Sequence, residues 1–98
     1  MEESRRPVAA DQYATADDAS YSSKELMKTM ARALVDEPES VSVIEVGGKQ
    51  SSILEIKVAK ADMGKIIGKQ GRTAGALRVI LSAVSAKEKK RIWLEIVD

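Results

Sequence analysis

Seven consecutive residues, Ile66-Ile67-Gly68-Lys69-Gln70-Gly71-Arg72, combine the groups needed to hold an anionic polymer. Glycines at 68 and 71 lack a Cβ, so the chain can take a positive φ there and come close to a ligand. Lys69 and Gln70 lie between them at the outward tip, and Arg72 opens a helix whose first N–H groups and dipole attract anions. Lys65 adds a cation just upstream. The chemistry implied is phosphate binding along a nucleic-acid backbone.

Other chemistries are poorly supplied. None of the 98 residues is Cys or His, which removes disulfides, thiolate nucleophiles, a histidine base and the usual zinc ligands. The acidic residues are scattered over surface-like positions, so no carboxylate pair suggests acid–base catalysis. The expectation is a protein that is not an enzyme and needs no cofactor. Gly64 through Gln70 lacks the four-residue spacing and the Ser or Thr of a P-loop. A helix-turn-helix reading also fails, because Ala74, Ala76, Leu77, Val79, Ile80 and Leu81 leave the second helix with few base-reading side chains.

Charge is segregated along the chain although the net value is only +1. Residues 1–48 carry −5, residues 49–91 carry +8, and residues 92–98 carry −2. The glycine turn lies in the basic part, where a local excess of cations steers polyanions. No apolar run approaches the roughly 20 residues of a spanning helix. We expect no membrane insertion and a cytoplasmic location.

The elements that must position this turn follow from pattern. Residues 1–21 mix small, polar and charged types without a period and are expected to form a disordered tail, leaving residues 22–98 as the domain. Ser22 or Ser23 can cap a first helix in which Leu26, Met27, Met30, Ala33 and Leu34 recur at helical spacing up to Glu37-Pro38. Residues 41–46 and 52–58 read as two strands joined through Gly47-Gly48, with Leu54, Ile56 and Val58 on one face. Asp62 is placed to cap a short helix ending at Ile67. A longer helix follows from Arg72 to Ala86, with Ala74, Leu77, Leu81 and Val84 in one stripe widened by Ala76, Ile80 and Ala83; this predicts burial around much of its circumference. Gly75 reads as a close-packing position. Arg91 to Val97 alternates as a third strand, giving the order α-β-β-α-α-β and an α+β fold class.

With the Ile-Ile-Gly-x-x-Gly block between two helices in this order, residues 22–98 resemble a KH domain of the type II arrangement. The small size is similar to that of the bacterial single-KH-domain RNA-binding proteins of the KhpA-like group. The resemblance implies a three-stranded sheet covered on one face by helices, and a groove for about four nucleotides of single-stranded RNA or DNA. It makes Gly68, Lys69, Gln70 and Gly71 the backbone clamp, with Ile66 and Ile67 at the groove wall. Lys65, Arg72, Lys89 and Lys90 would add attraction, though the lysines of 87–90 can equally be a solvated helix end complementing the dipole. A role as post-transcriptional regulator or RNA chaperone follows from the same resemblance, as does a homodimer or a heterodimer with another KH-containing RNA-binding protein.

Aromatic residues are few: Tyr13, Tyr21 and Trp93. Stacking on one ring contributes roughly 1–3 kcal/mol per base, so an isolated subunit should bind weakly and with little base selectivity. Strand alternation puts Trp93, Ile53 and Val97 on the sheet face away from the helices, where they are candidates for an interface. The alternative to an RNA-binding module is therefore a protein–protein adaptor or dimerisation module with secondary RNA contact.

Overall fold

The computed structural model describes residues 22–98, and the tail expected over residues 1–21 lies outside them. Helix α1 spans Ser23–Leu34, strands β1 and β2 span Ser42–Gly47 and Ser51–Lys57, helix α2 spans Met63–Ile67, helix α3 spans Arg72–Lys87 and strand β3 spans Arg91–Val97. The expected order α-β-β-α-α-β and the α+β class are therefore what the chain adopts.

Ser22 caps α1 by accepting the N–H of Glu25 at 3.1 Å, which satisfies one of the helix's open donors. The helix buries Met27 and Ala31 and ends at Leu34, four residues before Pro38. Strands β1 and β2 pair antiparallel with Val43 opposite Ile56 and Val46 opposite Ile53. Their connection holds three residues, Gly48 to Gln50, one more than the tightest hairpin. Strand β3 pairs with β2 in parallel, with Leu94 beside Leu54 and Trp93 beside Ile53. The parallel pairing requires a crossover, and α2 and α3 supply it.

The sheet order β1-β2-β3 leaves β3 with one free edge. Val43, Leu54, Ile56 and Leu94 from the inner sheet face meet Met27 and Ala31 of α1, Ile66 of α2, and Leu77 and Leu81 of α3 in a single core. Each of these side chains except Ala31 contributes about 1.5–3 kcal/mol on burial.

Three expectations are corrected. Asp62 precedes α2 but makes no capping bond to it. Its carboxylate, buried in the protein, instead accepts the N–H groups of Asp36 and Glu37 at 3.2 and 3.1 Å. It thereby ties the segment after α1 to the start of α2. Gly75 is not a close-packing position, because a Cβ there would meet nothing within 4 Å. Helix α3 is also less enclosed than its composition predicts. Ala74, Leu77, Leu81 and Ser85 are buried, whereas Ala76, Ile80 and Ala83 are exposed and Val79 is 70% exposed. The neighbouring elements cover one side of this helix and leave an apolar stripe on the other.

Candidate nucleic-acid interface

The glycine turn is built from left-handed conformations in close succession. Gly68 has φ +79°, Gln70 φ +58° and Gly71 φ +75°. Gly68 ends α2 by donating its N–H to the Gly64 carbonyl at 2.8 Å, and Gly71 donates to Gly68 O at 3.1 Å. The N–H of Arg72 is held by Lys69 O. These three amides are thus used to hold the turn's shape, and attraction for an anion falls more heavily on the exposed Lys69 and Arg72 side chains than the sequence suggested.

The two glycines do different work. A Cβ on Gly68 would stand 2.2 Å from Thr73 Oγ1 and 2.8 Å from the Thr73 backbone nitrogen, so any side chain there collides with the first turn of α3. A Cβ on Gly71 would meet open space. Gly71 therefore keeps the backbone bare on the solvent side, where a ligand can approach. Gln70 takes a left-handed conformation without being glycine, which costs an L-residue roughly 1–2 kcal/mol. Such strain gathers at functional turns. No side chain caps α3.

The flanking residues separate by burial. Ile66 has no exposed surface and belongs to the core, so it supports the groove wall from behind and cannot touch a ligand. Ile67 reaches the surface. Lys65 lies on the exposed side of α2 and pairs with Asp36 at 3.2 Å.

Toward the other end of α3 lies a recess. An open cleft of ≈ 570 Å³ runs between α3 and β3 and is lined by residues that include Arg78, Ser82, Ser85, Lys90, Arg91 and Ile92. Since α3 rises about 1.5 Å per residue, the path from Gly71 to Ser85 is about 20 Å. Glycine turn and cleft share this helix, and the free edge of β3 supplies backbone groups beside it. Arg78 was not singled out from sequence; six residues from Arg72, it lies about 120° around the helix from it, so no same-face spacing marked it.

The connector from α3 to β3 is fixed at several points. Lys89 sits at φ +58° just past the helix, its N–H bonds to Ala86 O at 3.1 Å and the N–H of Lys90 bonds to Ser85 O at 3.0 Å. This is the Schellman arrangement, with lysine where glycine is usual. Lys90 Nζ donates to Glu45 Oε2, which also accepts from Ser52 Oγ at 2.7 Å. The Lys90 bond, helped by Ser52, holds the Glu45 carboxyl below its ordinary pKa. Lys90 is therefore a partly neutralised cation, while Lys89 is exposed.

On the opposite sheet face, Trp93 is 54% exposed and lies beside Ile53, which lies beside Val46. Ile44 extends this apolar surface, and neither it nor Val46 was anticipated. Val97 is only partly exposed and stands four register positions from Trp93.

Among the described residues no group of His, Cys, Asp or Glu could hold a metal ion, and no helix is long and apolar enough to cross a membrane.

Comparison with known proteins agrees with this architecture. The chain is 58% identical over 73 residues to the RNA-binding protein KhpA of Caldanaerobacter subterraneus subsp. tengcongensis, a match that covers 74% of this chain and 97% of that protein. It is 55% identical over 74 residues to the RNA-binding protein KhpA of Clostridium acetobutylicum, covering 76% and 99%. A solved structure, Era in complex with MgGDPNP and nucleotides 1506–1542 of 16S ribosomal RNA, matches the fold with a TM-score of 0.57 at 21% identity, over 76% of this chain and 29% of that one. The family described as KhpA/KhpB, KH domain matches residues 24–96, and the chain belongs to that family.

Proposed function

We propose that the chain is a single-stranded RNA-binding protein. The carrying observation is that a bare glycine turn and a basic cleft lie along one helix: Gly71 is open to solvent, and Arg78 and Arg91 line the recess beyond it. The relatives' printed name, RNA-binding protein KhpA, supports this reading. In it, the strand's phosphates lie against Gly71 with Lys69 and Arg72 beside them, and Gln70 donates from the tip. Bases lie along Ile67, α3 and the β3 edge, where backbone groups can hydrogen-bond to them. The chain is a binding protein and not an enzyme, acting in the cytoplasm as a post-transcriptional regulator or RNA chaperone.

The test is the double change Lys69→Asp with Gln70→Asp, which puts two negative charges at the exposed tip. Binding to a mixed pool of single-stranded RNA should fall at least tenfold, an effect of about 1.4 kcal/mol or more, with the thermal midpoint little changed. Unchanged binding would refute the clamp.

Self-association has a specific observation in its favour. Ala76, Val79, Ile80 and Ala83 recur at i, i+3, i+4 and i+7 on the solvent side of α3, the spacing of a helix face made to be covered. A second copy laid along this stripe would double the clamps available to one RNA and raise avidity. The Trp93, Ile53 and Val97 face, enlarged by Val46 and Ile44, is the competing surface and the one an adaptor role would use.

A further inference from the structure

The first 21 residues contain an acidic stretch that no part of the binding site uses. Residues 7–21 carry Asp11, Asp17 and Asp18 and no Lys or Arg, a net charge of −3. The family match begins only at residue 24. Where this stretch joins the domain is fixed by two hydrogen bonds: the N–H and Oγ of Ser23 donate to the Glu88 carboxylate, each at 3.2 Å. Glu88 belongs to the connector between α3 and β3, the same connector that brings Lys90 and Arg91 to the cleft. Ser23, just after this stretch in sequence, therefore stands beside the connector at the rim of the basic cleft.

We propose that the Asp11–Asp18 segment docks along the connector end of the cleft between α3 and β3 and competes there with RNA. The inference rests on reading that cleft as part of the RNA path. Charge and length both favour this occupant. Arg78 and Arg91 face the cleft, and Lys89 stands exposed beside it. Glu45 takes up Lys90 and Glu88 keeps its negative charge, but Arg78, Lys87, Lys89 and Arg91 outnumber it, so the rim remains cationic. At about 3.3 Å per extended residue, Asp18 reaches about 13 Å from Ser22 and Asp11 about 36 Å. Lys87 and Arg78 are about 14 Å apart along the helix. A tether this short holds the segment at an effective concentration in the millimolar range. Weak carboxylate–guanidinium contacts then suffice to fill the cleft part of the time, and incoming RNA must displace them.

The experiment compares the full chain with its triple variant Asp11→Asn, Asp17→Asn, Asp18→Asn. Without RNA, the side-chain NMR signals of Arg78 and Arg91, which line the cleft, are compared between the two proteins at low and high salt. With RNA, the affinity for a mixed single-stranded pool is measured under the same conditions. Docking predicts that the Arg78 and Arg91 signals differ at low salt and converge at high salt. It also predicts that the variant binds RNA about two- to fivefold tighter at low salt, as expected for a competitor that fills the cleft about half to four-fifths of the time, with the advantage vanishing as salt screens the contact. Identical signals in the absence of RNA overturn the docking, whether or not RNA binds. Differences centred on Val46 and Ile53 overturn it too, by placing the segment on the outer sheet face. Displaced cleft signals with equal RNA affinity overturn the competition. Absence of RNA binding in both proteins overturns the RNA reading itself, and competition with it.

Discussion

Thr73 occupies the space that a side chain at Gly68 would need. With Thr73 Oγ1 2.2 Å and the backbone nitrogen 2.8 Å from where a Cβ would stand, the first turn of α3 is packed directly on the residue that caps the motif's first helix. Gly68→Ala combines this collision with a positive φ, and should destabilise the protein by about 2–4 kcal/mol. Gly71→Ala adds only the left-handed cost of about 1–2 kcal/mol. Urea unfolding of the two variants should preserve that ranking. Adding Thr73→Ala to Gly68→Ala should recover part of the loss, because the hydroxyl clash disappears while the backbone clash remains.

Asp62 predicts a different kind of failure. Removing its carboxylate leaves the N–H groups of Asp36 and Glu37 without the acceptor they now share. Hydrogen bonds to charged groups contribute about 1.5–3 kcal/mol each, so Asp62→Ala should cost at least 2 kcal/mol on the same scale. Asp62→Asn, which keeps one carbonyl acceptor, should fall between.

Lys89 adopts a conformation that glycine enters more readily. Lys89→Gly should stabilise the chain by about 0.5–1 kcal/mol, the left-handed penalty less the entropy glycine loses on folding. If Lys89 also contacts phosphate, the variant binds RNA more weakly and the salt slope of log affinity falls by roughly one. Calorimetry and salt titration of the same variant separate these two effects.

The Glu45 carboxyl is held below its ordinary value of 4.5 by the bond from Lys90 and then that from Ser52. A carboxyl whose pKa is depressed on folding contributes stability that is fully present above the unfolded value and is lost as pH falls through the folded one. Stability should therefore decline below pH 4.5, and part of that decline should vanish in Glu45→Gln. Denaturant midpoints across the acid range measure it.

Much of the architecture was legible because its signals are local. Alternation in residues 52–58 and 91–97, the Ser22 cap and the Gly68 to Gly71 spacing each depend on near neighbours in sequence. Asp62 was misread for the same reason: a carboxylate before a helix looks like a cap, but its partners lie 25 and 26 residues away. Lys90 looked like a free cation because Glu45, its acceptor, is 45 residues distant. Helix α3 was expected to be enclosed because composition reports how apolar a surface is, not which neighbours exist to cover it. Ile66 and Ile67 were assigned together to the groove wall, yet adjacent helix positions point about 100° apart, and only Ile67 reaches solvent.

The most direct measurement is an amide NMR titration of the full chain with a short single-stranded oligoribonucleotide. Gly68 through Thr73, Arg78 and the β3 edge should shift together at low salt, and the shifts should shrink as salt is raised. Shifts confined to the outer sheet face around Val46, Ile53 and Trp93, with the glycine turn silent, would contradict the proposed clamp.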